Sequence, residues 1–163
     1  MTTKRTSRRR TLTIAAGAAA AVAVAKAAEA AAPNVVGVWK LAGGAMTDPS
    51  GKKVGVPYGP RGMGLVTFTS DGRMMSVLVD GRASLPEGTP RQYSSYCGNY
   101  TFDGSTLITT VDANCDPVRF TAPQVRKVRF EGERMVLTPP PSEVDGVKVT
   151  RELTWERIRD QSL

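Results

Sequence analysis

The stretch VKVTRELTWER, residues 147–157, puts charge where an alternating pattern calls for apolar groups. In a strand, residues two apart share a face. Val147, Val149, Leu153 and Trp155 therefore lie together, opposite Lys148, Thr150, Glu152, Thr154 and Glu156, and Arg151 and Arg157 fall on the apolar face. A guanidinium taken out of water needs a partner, because burying an uncompensated charge is costly. For Arg151 three arrangements meet that need: a salt bridge to an inward carboxylate, a bulge that turns it outward, or a ligand carboxylate or enolate that it anchors. The side chains suited to line a pocket around such an anchor are Tyr58, Met63, Met74, Tyr96 and Tyr100, with Met75, Tyr93 and Phe102 beside them. Methionine fills irregular apolar space and tyrosine adds a hydroxyl to an apolar body. Plain core packing is the competing use of each. Tyr96 and Tyr100 share one face of their strand and Cys97 takes the other, so register decides which face is inside.

Other chemistry is excluded by what the chain lacks. It has no histidine, which rules out Ser–His–Asp and Cys–His catalysis in their usual forms and removes the commonest transition-metal ligand. Two cysteines alone make a poor zinc site, so no metal is expected. No glycine-rich phosphate loop stands between a strand and a helix, so no nucleotide or other cofactor is expected either. Cys97 and Cys115 are a candidate disulfide pair. With Asp103-Gly104 as the hairpin tip, however, residue 97 lies opposite roughly residue 110, and Cys115 is then ~16 Å further along at the rise of a strand. A disulfide needs Cα atoms within ~7 Å. Two separate thiols are expected unless a bulge or a folded-back loop closes the gap.

The elements that position these residues are strands. After Pro33 no sustained 3.6-residue apolar stripe occurs. The dipeptides Asp71-Gly72, Asp80-Gly81, Asp103-Gly104, Glu131-Gly132 and Asp145-Gly146 punctuate short alternating runs instead. Glycine accepts positive φ without a Cβ clash, which makes such pairs hairpin signals. The runs between them predict eight strands: 35–43, 63–69, 73–80, 92–102, 105–113, 124–130, 134–138 and 147–157. Eight antiparallel strands joined in order either leave two open edges or close, and closure predicts an all-β, eight-stranded, antiparallel up-and-down barrel. An interior of that size takes side chains or one small ligand. Longer loops at 44–62, 81–91 and 114–123, and the stiff Pro139-Pro140-Pro141 segment, are expected to frame its mouth or seal its floor.

The first thirty residues read as an address. Lys4, Arg5, Arg8, Arg9 and Arg10 precede an Ala- and Val-rich run from Leu12 to Ala25, which is too short to span a bilayer as a helix. Basic start, short apolar run and small-residue exit near Ala28-Glu29-Ala30 predict a cleaved leader, residues 1–30, and an exported domain, residues 31–163, in the periplasm or secreted. Ser7-Arg8-Arg9-Arg10-Thr11-Leu12 resembles a twin-arginine export signal, with Thr11 where a bulky apolar residue is usual. The whole chain carries 22 basic and 15 acidic residues. Without the leader the balance is 16 to 14, an ordinary surface, so no nucleic-acid partner and no stable membrane span after cleavage are expected.

Several separated motifs, in order, resemble one family. GVWKL at 37–41, PYGPRGMGLVTFTSDGRMMSVLV at 57–79, YSSYCGNYTFDGSTL at 93–107 and LTWERI at 153–158 are similar to the bacterial and fungal lipocalin-like domain family. Phe68 stands where relatives often have Tyr, and Thr109-Thr110 where they often show His. The resemblance implies a small barrel with a ligand cavity, in a family mostly of unknown function, some of whose members accompany secondary-metabolite pathways. It also implies that Arg157, from the last strand, covers Trp39, from the first, and closes the barrel floor by a cation–π contact. The expected function is binding of a small hydrophobic or amphipathic, acidic or neutral, molecule in the lumen. The alternatives are a cofactor-free isomerase or cyclase acting on a polyketide- or oxylipin-like substrate, and a structural envelope domain with a filled interior.

Overall fold

The computed structural model describes residues 34–118 and 120–159, so the expected leader lies outside the described residues. Ten strands form: β1 (Gly37–Thr47), β2 (Lys53–Gly55), β3 (Gly62–Phe68), β4 (Arg73–Asp80), β5 (Tyr93–Phe102), β6 (Thr106–Asn114), β7 (Gln124–Glu131), β8 (Arg134–Thr138), β9 (Ser142–Val144) and β10 (Val147–Arg157). They hydrogen-bond in the order β2-β1-β3-β4-β5-β6-β7-β8-β10-β9, and β1 also pairs with β10. That seam closes an eight-stranded antiparallel barrel, with β2 and β9 as short flaps at one end. The described residues contain no helix.

Alternation builds the interior. Across β3 and β4, Phe68 faces Met74, Val66 faces Ser76 and Gly64 faces Leu78. The inward set continues through Tyr96 and Ser94 on β5, which sit beside Ser76 and Leu78. Leu107 and Thr109 follow on β6 and Val128 and Phe130 on β7, before Met135 and Leu137 on β8 meet Trp155 and Leu153 on β10. Hairpins form at Asp71-Gly72, Asp103-Gly104, Glu131-Gly132 and Asp145-Gly146, where each glycine has positive φ. Asp80-Gly81 does not turn the chain back: Asp80 ends β4 as a buried inward residue, and the backbone leaves in a loop to β5.

Three expectations change. β1 begins two residues late and runs on to Thr47, because a bulge at Ala42 lets it follow β10 to Thr150. Met63, expected in the pocket wall, is 58 % exposed and faces outward opposite Val79. Met75 is as exposed and also outward, since Met74 holds the inward phase. The β5–β6 register differs as well. Phe102 pairs with Leu107, two residues further on than a two-residue turn gives, and a bulge between Cys97 and Gly98 adds one more, so that Ala113, not residue 110, lies opposite Cys97, and Cys115 N donates to Ser95 O at 3.0 Å. Cys115 is therefore a diagonal neighbour of Cys97, a relation that spans about 7–8 Å rather than ~16 Å. Both thiols are free.

Candidate functional site

The barrel has a sealed end and an open one. At the sealed end Trp39, 1 % exposed, donates from Nε1 to Val35 O at 2.8 Å. The Arg157 guanidinium carbon lies 4.1 Å from the Trp39 ring centroid. Its NH groups donate to the carbonyls of Val36 and Asn34, so one side chain stacks on the indole and ties down the chain entering β1. Gly37, at φ 134, leaves room for that guanidinium, and a Cβ there would collide with it. Phe68 and Tyr100 meet edge to face at 5.1 Å, and Phe102 and Phe130 complete the floor. Truncating a large buried aromatic of this kind costs ~3–5 kcal/mol.

Above the floor lies a cavity of about 580 Å³, within the range of small-molecule sites. Its deeper wall is apolar: Val66, Phe68, Met74, Leu107, Leu137, Leu153 and Trp155. Ser76 and Tyr96 share the tier of Val66, and nearer the mouth Ser94, Gln92, Gln124 and Tyr58 bring polar groups in among Met46, Pro57, Leu78 and Pro139. Two arginines stand there. Arg151 is opposite Met46, and the β1–β10 register gives it the same inward phase as Leu153 and Trp155. Arg126 is opposite the buried Leu107 on β6 and shares the phase of Val128 and Phe130. Extending the β7–β8 and β8–β10 ladders past their last pairs puts Pro139 between the two arginines. They are then two strands apart on one tier, about 10 Å at the spacing of a sheet.

Among the described residues no carboxylate pairs with either arginine. Arg126 donates to Val125 O at 2.7 Å and to Gln124 Oε1 at 3.2 Å, both uncharged. Among the described residues no hydrogen bond or ion pair engages the Arg151 guanidinium. The lining residues include one carboxylate, Glu143, which is exposed at the rim. The other inward acid, Asp80, is already occupied. Arg82 grips it from Nε at 3.0 Å and from Nη2 at 2.6 Å, and that bond holds the Asp80 carboxyl below its ordinary value against the opposing effect of burial. Arg91 donates to the Asp80 and Arg82 carbonyls, so the loop after β4 is folded against the rim.

Of the residues singled out in the sequence, Arg151, Tyr58, Met74 and Tyr96 line this cavity, with Tyr93 at its rim. Tyr96 stacks obliquely on Phe120 at 4.9 Å. Met63 does not line it and lies on the outer wall. Tyr100 belongs to the floor rather than the cavity wall, its hydroxyl donating to Thr69 O at 2.9 Å and its pKa raised by burial. Phe102 is likewise part of the packed floor. Arg126, Gln124 and Gln92 are lining residues that the sequence reading missed. For Arg126 the signal was present: Gln124, Arg126, Val128 and Phe130 alternate in the same way as the run that singled out Arg151. Cys97 and Cys115 are outside the cavity; Cys97 Sγ approaches Asp112 Oδ1 at 3.6 Å and Cys115 Sγ accepts from Ser95 N at 3.2 Å. Among the described residues no group of three His, Cys, Asp or Glu side chains could hold a metal ion.

Comparison with curated proteins finds none that matches the chain. A family model, that of the lipocalin-like domain, matches residues 36–158, from the strand that carries Trp39 through the strand that carries Arg157. With the match spanning the whole barrel, the chain belongs to the lipocalin-like domain family.

Proposed function

We propose that this barrel is an exported binding protein whose lumen holds one small amphipathic molecule, acidic at the end nearest the mouth. The observation that carries the reading is Arg151, an inward arginine with no carboxylate partner among the described residues, set in a cavity whose depths are apolar. An anion supplied by a ligand gives that half-buried guanidinium the charge-assisted hydrogen-bond partner it lacks. Arg126, on the same tier, strengthens the local positive potential. A filled structural domain is disfavoured by a cavity of about 580 Å³. Catalysis is disfavoured because the deep wall offers no carboxylate among the described residues to serve as general acid or base, and the inward Asp80 is bound by Arg82. Export rests on residues 1–30 of the sequence. N-terminal sequencing of protein recovered outside the cytoplasm should start near residue 31, and an intact Met1 would contradict it.

Arg151→Met separates a ligand anchor from a structural cation. It should leave the melting temperature unchanged or raise it, because an apolar side chain replaces an unpaired charge. Affinity for alkyl carboxylates should fall by ~2–5 kcal/mol, while that for the corresponding alcohols stays the same. Displacement of an environment-sensitive fluorescent probe measures both. A large loss of stability with unchanged affinity would sink the anchor.

A further inference from the structure

The tier that carries Arg126 and Arg151 holds two like charges with no acid beside them. Arg126 faces Leu107 on β6 and Arg151 faces Met46 on β1. Pro139 falls between the two arginines when the β7–β8 and β8–β10 ladders are continued. None of these neighbours has a side chain that can meet a charge, and a proline has no N–H to compete for an anion. Both arginines are half-buried and line the same cavity. Arg126 turns one N–H to Val125 O and one to Gln124 Oε1, which leaves the rest of its fork unused. The one carboxylate of the lining, Glu143, forms no ion pair with either arginine. Like charges on one wall repel, and a monoanion seated on Arg151 leaves Arg126 as it was.

We infer that the acidic end of the ligand is doubly charged and is shared between Arg151 and Arg126. The head is a compact dianion, either two carboxylates on neighbouring carbons or a phosphate monoester. This rests on the proposed binding of an amphipathic acid and adds the second arginine to it as a point of recognition. The strands are two apart, about 10 Å, a gap that two arginine side chains are long enough to close onto one head. Guanidinium forks match carboxylate and phosphate oxygens in pairs. The remainder of the ligand is apolar, because Val66, Phe68 and Met74 of the deeper wall offer nothing polar. A monocarboxylic acid of the same length satisfies one arginine and leaves the other without a counter-charge. Two cations on an otherwise uncharged tier therefore select for the second negative charge.

The experiment is a set of dissociation constants by probe displacement, at pH ~8, where a phosphate monoester is doubly ionised. The ligands are decylsuccinate and decyl phosphate, each beside its singly methylated ester, which keeps the size and removes one charge. At least one head should bind about tenfold tighter than its methylated form. Which head gains tells a dicarboxylate from a phosphate, and either gain supports the inference. Arg126→Met should bring the two forms of that head to within about threefold of each other. The inference is overturned if neither head gains in the wild type, or if the gain survives in Arg126→Met. Should Arg126→Met fail to fold, Arg126→Gln, which keeps a polar side chain, takes its place. A methylated acid that binds, and binds less well in Arg151→Met, leaves the anionic anchor standing when the second charge counts for nothing. If no acid binds at all, the lumenal reading falls and this inference falls with it.

Discussion

Tyr58 is held in the left-handed region at φ 59, in the turn Val56-Pro57-Tyr58-Gly59 at the cavity mouth. That position suits Gly or Asn, and a tyrosine there carries strain of the kind that collects at functional sites. Gln92 Oε1 accepts from its backbone N at 2.7 Å and secures the turn. Tyr58→Asn should stay within ~1 kcal/mol of wild-type stability, since relief of strain offsets lost packing, yet weaken ligand binding. A drop in melting temperature with full binding would mean that the ring is there to pack. A second residue-scale expectation concerns pH. Asp80 is lowered from its ordinary value by the Arg82 hydrogen bond, so its contribution to stability is present above the unfolded-state pKa, about 4, and is lost as pH falls through the lower folded-state value. Asp48, Asp71 and Asp103 are lowered too, so the difference between wild type and Asp80→Asn isolates the rim pair. Melting temperatures of the two should converge below pH ~4 and separate above it; parallel curves would contradict the assignment. The alternation in residues 147–157 made Arg151 legible in the sequence. The same rule applied to residues 124–130 exposes Arg126, but there only Val128 and Phe130 mark the apolar phase and Val125 falls on the opposite one, which blurs the pattern.

At the scale of elements, hairpin chemistry was the readable part. Asp-Gly and Glu-Gly pairs mark four tips because a two- or three-residue reversal needs positive φ. Asp80-Gly81 carries the same signal and reverses nothing, since Asp80 is drawn into a bond with Arg82 and Gly81 N donates to Arg61 O at 2.9 Å, carrying the pairing with the neighbouring strand past β4. Bulges were not readable. The extra residue opposite Cys97/Gly98 comes from the close approach of two backbones: a Cβ on Gly98 would fall within 2.0 Å of Thr110 O. That insertion, added to the two-residue shift of a turn that pairs Phe102 with Leu107, brings Cys115 to a diagonal position, and it leaves Asp112 free to pair with Arg73 on the outside. Gly98→Ala should therefore cost ~1–3 kcal/mol, as other overpacked sites do, and hydrogen exchange should show the loss concentrated in β5 and β6. A neutral Gly98→Ala would mean that the bulge has slack. Met63 and Met75 were misplaced for a related reason, as one residue of register decides the face and a methionine suits either.

The whole molecule follows from closure. Pairing of β1 with β10 removes both edges, sets Trp39 opposite Arg157 at one end and leaves Arg151 opposite Met46 at the other. The result is a vessel with an aromatic floor, an apolar lower wall and two arginines near the mouth that meet no carboxylate among the described residues. Function is the part that the sequence did not supply, because a cavity arises from contacts among all eight strands and no single motif describes it. The most direct test is native mass spectrometry of the protein recovered from the compartment where it works, purified without detergent. The account predicts a one-to-one complex that releases a small amphipathic acid on denaturation, and loss of that complex in Arg151→Met. Protein that comes back at the mass of the bare chain, and that takes up no amphipathic acid offered to it, would contradict it.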